Sequence, residues 1–292
     1  IPAPPAAPPI AGSAALLPTL GRAVTEVTEE RSVGFRYLPE GCGSNVTGHH
    51  DPCREADDKP TPEQLALVEA WPFVLVGGDR CSAFDLNNRD WQGRATRQLL
   101  ASQSFQVAAE LWAGEQAQAM AADVPGDDVP NRWLASEAAD TLTTGPTSAT
   151  DALASLEYGL GQCLHGGRGI IHATLHAATY WYGENLLRRE GNQLLTAMDT
   201  IVVADAGYDG SGPNGEAPED GSQWAYATGG ITVRLGPIRT IPATAETARQ
   251  GLDRSTNTVE VIAERAAAVG FEPCCHLAAE ISLGWAAIGG VS

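Results

Sequence analysis

Lysine is almost missing from this sequence. Lys59 is the single one among 292 residues, and the other 17 basic side chains are arginines. Positive charge as a whole is scarce, with 18 Lys and Arg against 36 Asp and Glu and a formal net charge of −18. That balance excludes a phosphate-backbone binder, which needs clustered cations. Long apolar runs are missing too, none approaching the roughly 18 residues that a membrane span needs. No charged segment followed by an apolar core opens the chain, so no secretory signal is read. The first residue is Ile1 rather than Met, which leaves room for a removed N-terminal segment. Without a secretory signal, the sequon Asn45-Val46-Thr47 is a chance match.

Catalytic signatures are absent as well: no Ser-His-Asp motif, no P-loop and no kinase set occurs. Gly210-Ser211-Gly212-Pro213-Asn214-Gly215 matches G-x-G-x-x-G, but Pro213 and the acidic GEAPEDG follow it. A dinucleotide site needs a helix N-terminus there, so this is a loop. Cys163 beside His165 lacks the strand–turn–helix setting of a nucleophile. His172 and His176, four apart, could share a helix face, yet they lack the Glu and third ligand of a zinc protease and read as packed or hydrogen-bonded side chains. Asp205, Asp209, Glu216, Glu219 and Asp220 do not have EF-hand spacing and read as a solvated acidic loop. The chain is therefore read as a non-enzyme with no catalytic residues and no cofactor.

The six cysteines are Cys42, Cys53, Cys81, Cys163, Cys274 and Cys275, in no small-scaffold pattern, and are expected to be mostly buried thiols. Cys42, His49, His50 and Cys53 place four metal-ligand types on one Gly-rich loop. Their C-x6-H-H-x2-C spacing departs from the paired spacing of structural zinc. A Cys42–Cys53 disulfide or free thiols suit the same loop, so no metal is assigned.

What is present is a mixed α+β pattern. Arginine in place of lysine suits bidentate carboxylate pairing between subunits, although GC-rich codon usage accounts for it equally well. Residues 1–18 are Pro- and Ala-rich and predict an extended arm. Val33, Phe35 and Tyr37 alternate with polar or small residues as a short strand. Thr61-Pro62 opens a helix, and Trp71–Gly77 is a strand. Trp91, Ala95, Leu99, Phe105, Ala109 and Trp112 predict a helix over about 89–122, roughly 40 Å long. Ser148 and Asp151 cap a helix over 149–160.

The stretch 166–210 reads as one layered unit. A strand at Ile170-Ile171 leads to a helix over 173–187 with Leu175, Ala178, Tyr182 and Leu186 on one face. A turn at Glu190-Gly191-Asn192 follows, then a buried strand over Thr200–Ala204. Residues 223–230 and 231–238 predict a strand pair. Thr244 caps a short helix ending at Gly251, and strands over 258–265 and 274–283 close the chain.

Taken in order, these parts resemble the HK97-fold major capsid proteins of tailed bacteriophages, especially forms from phages of actinobacteria. RDWQGRATRQLLASQSFQVAAELW resembles the family's spine helix. GRGIIHATLHAATYWYGENLLRREGNQLLTAMDTIVVADAGY resembles its axial domain, and NTVEVIAERAAAVGFEPCCHLAAEI its closing peripheral strands. The resemblance is clearest over about 89–283. It departs where the family's usual Gly before the second axial strand is Met198-Asp199, and the scaffolding region that some members carry is absent.

The resemblance implies an N-arm over 1–30, an extended-loop region over 31–72, a peripheral domain over 73–147 and 241–292, and an axial domain over 148–240. It implies pentamers and hexamers of this chain in an icosahedral shell, packaging double-stranded DNA without binding it specifically. Decoration, portal and scaffolding proteins are the other implied partners, and no membrane is involved. Localisation would be the virion, with assembly in the host bacterial cytoplasm. Some relatives crosslink subunits through a Lys and an Asn, a role that would fall to Lys59. An encapsulin-like cargo cage, or a phage tail or head-accessory binding protein, are the alternatives.

Overall fold

The computed structural model describes residues 14–39, 67–82, 90–123, 130–242 and 253–284. Two sheets and one long helix carry the fold, preceded by a short helix, α1 (Leu16–Leu20). The helix, α2 (Trp91–Ala113), starts where the Asp90 side chain accepts the Gly93 N–H, and it ends at Gly114 in the left-handed conformation. At 23 residues it is about 35 Å long.

The expected single helix over 89–122 is thus two, because a second, α3 (Glu115–Asp123), follows Gly114. A Cβ at Gly114 would collide with the Trp133 ring, so glycine is required by space as well as by φ. The Glu110 carboxylate accepts the N–H groups of Gln116 and Ala117, which caps α3 from inside α2. Burial raises the pKa of Glu110 despite those two bonds.

The five-stranded sheet is built on β13 (Thr258–Phe271). One edge of β13 pairs antiparallel with β4 (Phe73–Ser82). The other pairs with β11 (Ile231–Leu235) and β12 (Arg239–Ile241), and β1 (Val24–Glu26) lies parallel to β11. Helix α2 covers one face, where Gly77 lets β4 approach Leu99: a Cβ there would lie 2.7 Å from Leu99 Cα. The other face is partly covered by the ribbon of β2 (Phe35–Tyr37) and β3 (Val68–Ala70), whose Val33, Phe35, Val68 and Ala70 pack on Ala266 and Ala268.

The seven-stranded sheet runs β5-β14-β10-β6-β9-β8-β7. Its strands are β5 (Asp140–Thr141), β6 (Ile170–Thr174), β7 (Leu187–Glu190), β8 (Gln193–Thr196), β9 (Ile201–Asp205), β10 (Ser222–Thr228) and β14 (His276–Ser282). Helices α4 (Ala149–Cys163) and α5 (Leu175–Gly183) pack on it. Ser148 caps α4 as its sequence predicts, its hydroxyl accepting the Asp151 N–H.

Several sequence readings change. The predicted helix over 173–187 is shorter and buries Ala177, Ala178 and Trp181, leaving Leu175 and Tyr182 exposed. Glu190-Gly191-Asn192 ends no helix: it turns the hairpin β7–β8, with Gly191 at φ 58°. The strands over 223–230 and 231–238 form, but in different sheets, since the chain crosses at Gly229-Gly230. The chain crosses back between Phe271 and His276, so β14 joins the strands of the expected axial range although it lies beyond residue 241. Glu272 N–H donates to Gly230 O at 2.9 Å and ties the two crossings together.

Cys163 and Cys275, read as thiols, are joined in a disulfide with Cα atoms 5.7 Å apart. A continuous core cluster, including Trp112, Val203, Tyr226, Val233 and Phe271, spans both sheets.

Candidate assembly surface

The loop that carries Cys42, His49, His50, Cys53 and Lys59 lies outside the described residues, as do the predicted helices at Thr61 and Thr244. Among the described residues no three His, Cys, Asp or Glu side chains are grouped to hold a metal ion.

The other polar candidates are structural anchors. His172 sits on β6 rather than on a helix, so it shares no face with His176 on α5. Its ring is fully buried. Nδ1 lies 2.9 Å from the Tyr208 hydroxyl and Nε2 lies 3.1 Å from Thr228 Oγ1, which itself donates to Gly229 O. That direction makes Nε2–H the donor to Thr228 and Nδ1 the acceptor from Tyr208. Burial, with a smaller contribution from nearby His276, lowers the His172 pKa to about 3, so the ring is neutral.

The acidic residues do not converge. Asp205 is buried and accepts from Leu16 N–H, Ser104 Oγ and Gly207 N–H. Asp209 accepts from the N–H and hydroxyl of Ser211. The loop expected to face solvent throughout does so in part: Asp205, Gly207, Tyr208, Gly210 and Gly212 are buried, while Ala206, Asp209, 214–217 and 219–220 are exposed. Gly212-Pro213 leads into one 3-10 turn, with no helix for a pyrophosphate.

Arg265 is a buried cation whose guanidinium donates to Gly236 O, Gln103 Oε1 and the exposed Glu26 carboxylate. It fixes β1 and α2 against β13. A half-open cleft of about 830 Å³ is lined by Arg132, Trp133, Glu137, Asp209 and His276, among others. Its His276 Nε2 is 2.8 Å from Leu134 O.

Part of what the fold leaves on view is apolar. On the face of the five-stranded sheet away from α2, Val74 (57% exposed), Val76 (47%) and Ile241 (51%) stand in the open. Register places Val76 beside Glu264 and Arg239, and Gly78 beside Ile262 and Ile241. The β2–β3 ribbon covers the neighbouring Ala266 and Ala268 but stops short of these residues. An Arg239–Glu30 ion pair at 2.6 Å borders the patch.

The backbone edge is closed selectively. Gln106 Nε2 donates to Val76 O and its Oε1 accepts Val76 N–H, both at 3.0 Å. Asn131 does the same for Trp71, at 3.0 and 2.7 Å. The backbone groups of Val76 and Trp71 are thus occupied by side chains, while Val74, Val76 and Ile241 face outward. Sequence reading missed this patch because WPFVLVG was read as one strand without asking which residues alternate outward. It missed Gln106 and Asn131 because their partners lie 30 and 60 residues away.

No known protein-family model matches the chain, and no curated protein matches it in sequence. Solved structures match it in fold. The capsid of an empty GTA particle is 13% identical with a TM-score of 0.55, over 92% of this chain and 90% of that one. The capsid of the native GTA particle is 12% identical with a TM-score of 0.50, over 89% and 87%. Gordonia phage Cozz is 13% identical, over 92% and 86%, with a TM-score of 0.48. The chain therefore shares the mixed helix-and-sheet fold of the GTA capsids.

Proposed function

We propose that this chain is a major capsid protein, many copies of which self-assemble into the icosahedral shell that encloses the double-stranded DNA of a tailed bacteriophage. The observation that carries the reading is the fold match to GTA capsids over about nine-tenths of both chains. The apolar sheet face with its Arg–carboxylate border supports it, since standard protein interfaces combine such a centre with a polar rim. The buried polar side chains His172, Asp205 and Arg265 are committed to internal hydrogen bonds, which supports a structural role for them.

In this reading the five-stranded sheet with α2 is the peripheral unit of an HK97-like subunit, and α2 is its spine. The seven-stranded sheet with α4 and α5 is the axial unit, taking β14 and β5 from outside the range 148–240. The segment before residue 30 is the N-arm, and the chain between β2 and β3 is the extended loop. Lys59, within that loop, is the residue available for an inter-subunit bond to an Asn. Pentamers and hexamers are the building blocks, with portal, scaffolding and decoration proteins as companions. The net charge of −18 keeps packaged DNA from adhering to the wall. The virion is the final location, after assembly in the host bacterial cytoplasm.

Negative-stain electron microscopy with light scattering tests this. Closed shells, or rings with five- and six-fold symmetry, are expected, and a shell of phage-head diameter separates this reading from a small cargo cage. A stable monomer or trimer at high protein concentration would overturn it.

A further inference from the structure

The outer edge of β4 and the residues leading into it are stopped twice by the same device. At Val76 the Gln106 carboxamide accepts the N–H on Oε1 and donates from Nε2 to the C=O, both at 3.0 Å. At Trp71 the Asn131 carboxamide does likewise, at 2.7 and 3.0 Å. Pro72, beside Trp71, brings no N–H to this edge. The other edge of β4 belongs to β13, and among the described residues no second strand pairs with it.

Gln106 is itself held in place. The second hydrogen of Nε2 goes to Ser102 Oγ at 2.7 Å, and that hydroxyl gives its own hydrogen to the helix carbonyls of Gln98 and Leu99. Ser102 can therefore only accept from the carboxamide, which fixes Nε2 toward the helix and Oε1 toward the Val76 N–H.

The stretch under these clasps is prone to self-pairing. Phe73-Val74-Leu75-Val76 is four β-forming residues in a row, and Asp79 is the first charged residue after Trp71. Val74 and Val76 are 57% and 47% exposed. A strand of this kind on a sheet edge is a template for another copy of itself, since two identical strands can pair antiparallel without any further sequence. A single hydrogen bond would tie α2 to β4. Each clasp instead occupies the donor and the acceptor of one residue, which leaves an incoming strand nothing to bond there.

We infer that Gln106 and Asn131 are edge guards, which keep β4 from pairing with the β4 of a second copy and so leave copies to meet through other surfaces. The inference concerns the free chain and does not rest on the capsid reading.

The test compares the full chain with a Gln106→Ala, Asn131→Ala double variant, agitated at a temperature where circular dichroism shows both folded. Thioflavin T fluorescence follows the deposits, and electron microscopy counts shells and rings apart from them. Leu156→Ala, which empties core space under α4, controls for lost stability. The double variant should show a lag about tenfold shorter than the parent and the control, as expected when gatekeepers are removed. Its deposits should protect the amides of residues 73–78 from deuterium exchange. Adding Val74→Lys, a charge on the open edge, should restore the parent lag. Ser102→Ala, which only frees the Gln106 side chain, should shorten the lag by less, and it decides the matter if the double variant does not fold. A lag no shorter than that of Leu156→Ala, protection lying outside 73–78, or a lag that Val74→Lys leaves unmoved would each overturn the inference.

Discussion

The side chain of Gln106 holds the N–H and the C=O of Val76 at the same time, each at 3.0 Å. A carboxamide has one donor and one acceptor on the same side, so it presents to β4 what a neighbouring strand would. Gln106→Leu should lose about 1 kcal/mol in stability, since the site is near solvent and water can replace part of each bond. Gln106→Glu, which at neutral pH can accept but not donate, should fall between. Urea denaturation of the three proteins checks the order.

Gly77→Ala probes the contact between β4 and α2. The added Cβ would lie 2.7 Å from Leu99 Cα and 2.8 Å from Leu99 Cβ, against backbone that cannot swing away. A cost of about 2–3 kcal/mol is expected from forcing strand and helix apart. The control is Gly161→Ala, where nothing lies within 4 Å and a gain in helix propensity is expected. Thermal melts of the pair should move in opposite directions.

Acid should destabilise the protein through His172. Its folded pKa is lowered from 6.5 to about 3, so between those values the unfolded chain binds a proton that the folded one does not. The stability is therefore complete above about pH 6.5 and falls by up to about 1.4 kcal/mol per pH unit on acidification, levelling off near pH 3. His276, also lowered by burial, acts in the same direction. Glu110, raised by burial, acts in the opposite one. His172→Gln, less stable at pH 7, should show a shallower loss between pH 6.5 and 4.5, which denaturant melts across that range would record.

The Cys163–Cys275 bond closes a loop of about 112 residues that ties the end of α4 to the start of β14. Closure of so long a loop is worth about 3–5 kcal/mol if the unfolded chain is otherwise free. Cys275→Ser should lower the melting temperature and remove the response of this bond to reductant. Mass spectrometry of the unreduced digest should find the two peptides linked.

Val76→Glu together with Ile241→Glu tests the exposed sheet face. Both side chains are open to solvent in the single chain, so its circular dichroism should be unchanged, with stability shifted by less than about 1 kcal/mol. Assembly should fail, because two carboxylates would be desolvated at the centre of a contact. Light scattering and electron microscopy of the variant beside the parent protein read this directly.

Local chemistry was legible in the sequence and long-range pairing was not. Ser148 with Asp151 announces α4, because a cap and its helix lie within four residues. The strand at Phe35–Tyr37 announces itself by alternation. Nothing near residue 229 says that β10 and β11 belong to different sheets, since each finds partners 30 to 60 residues away. The face of α5 was misread for a related reason. Hydropathy favours Leu175 and Tyr182, but packing chose Ala177, Ala178 and Trp181, whose shapes fit beneath the helix.

The two crossings between the sheets, at Gly229-Gly230 and after Phe271, lie side by side and are bonded through Gly230 and Glu272. Paired crossings of this kind would act as a hinge with one axis, permitting the sheets to fold toward each other but not to slide. The core around Trp112 and Tyr226 fills the angle and resists even that motion. Each chain then behaves as a stiff tile. In a shell made of such tiles, differences in curvature between five-fold and six-fold surroundings would have to be absorbed at the joints between copies and in the segments that reach across them.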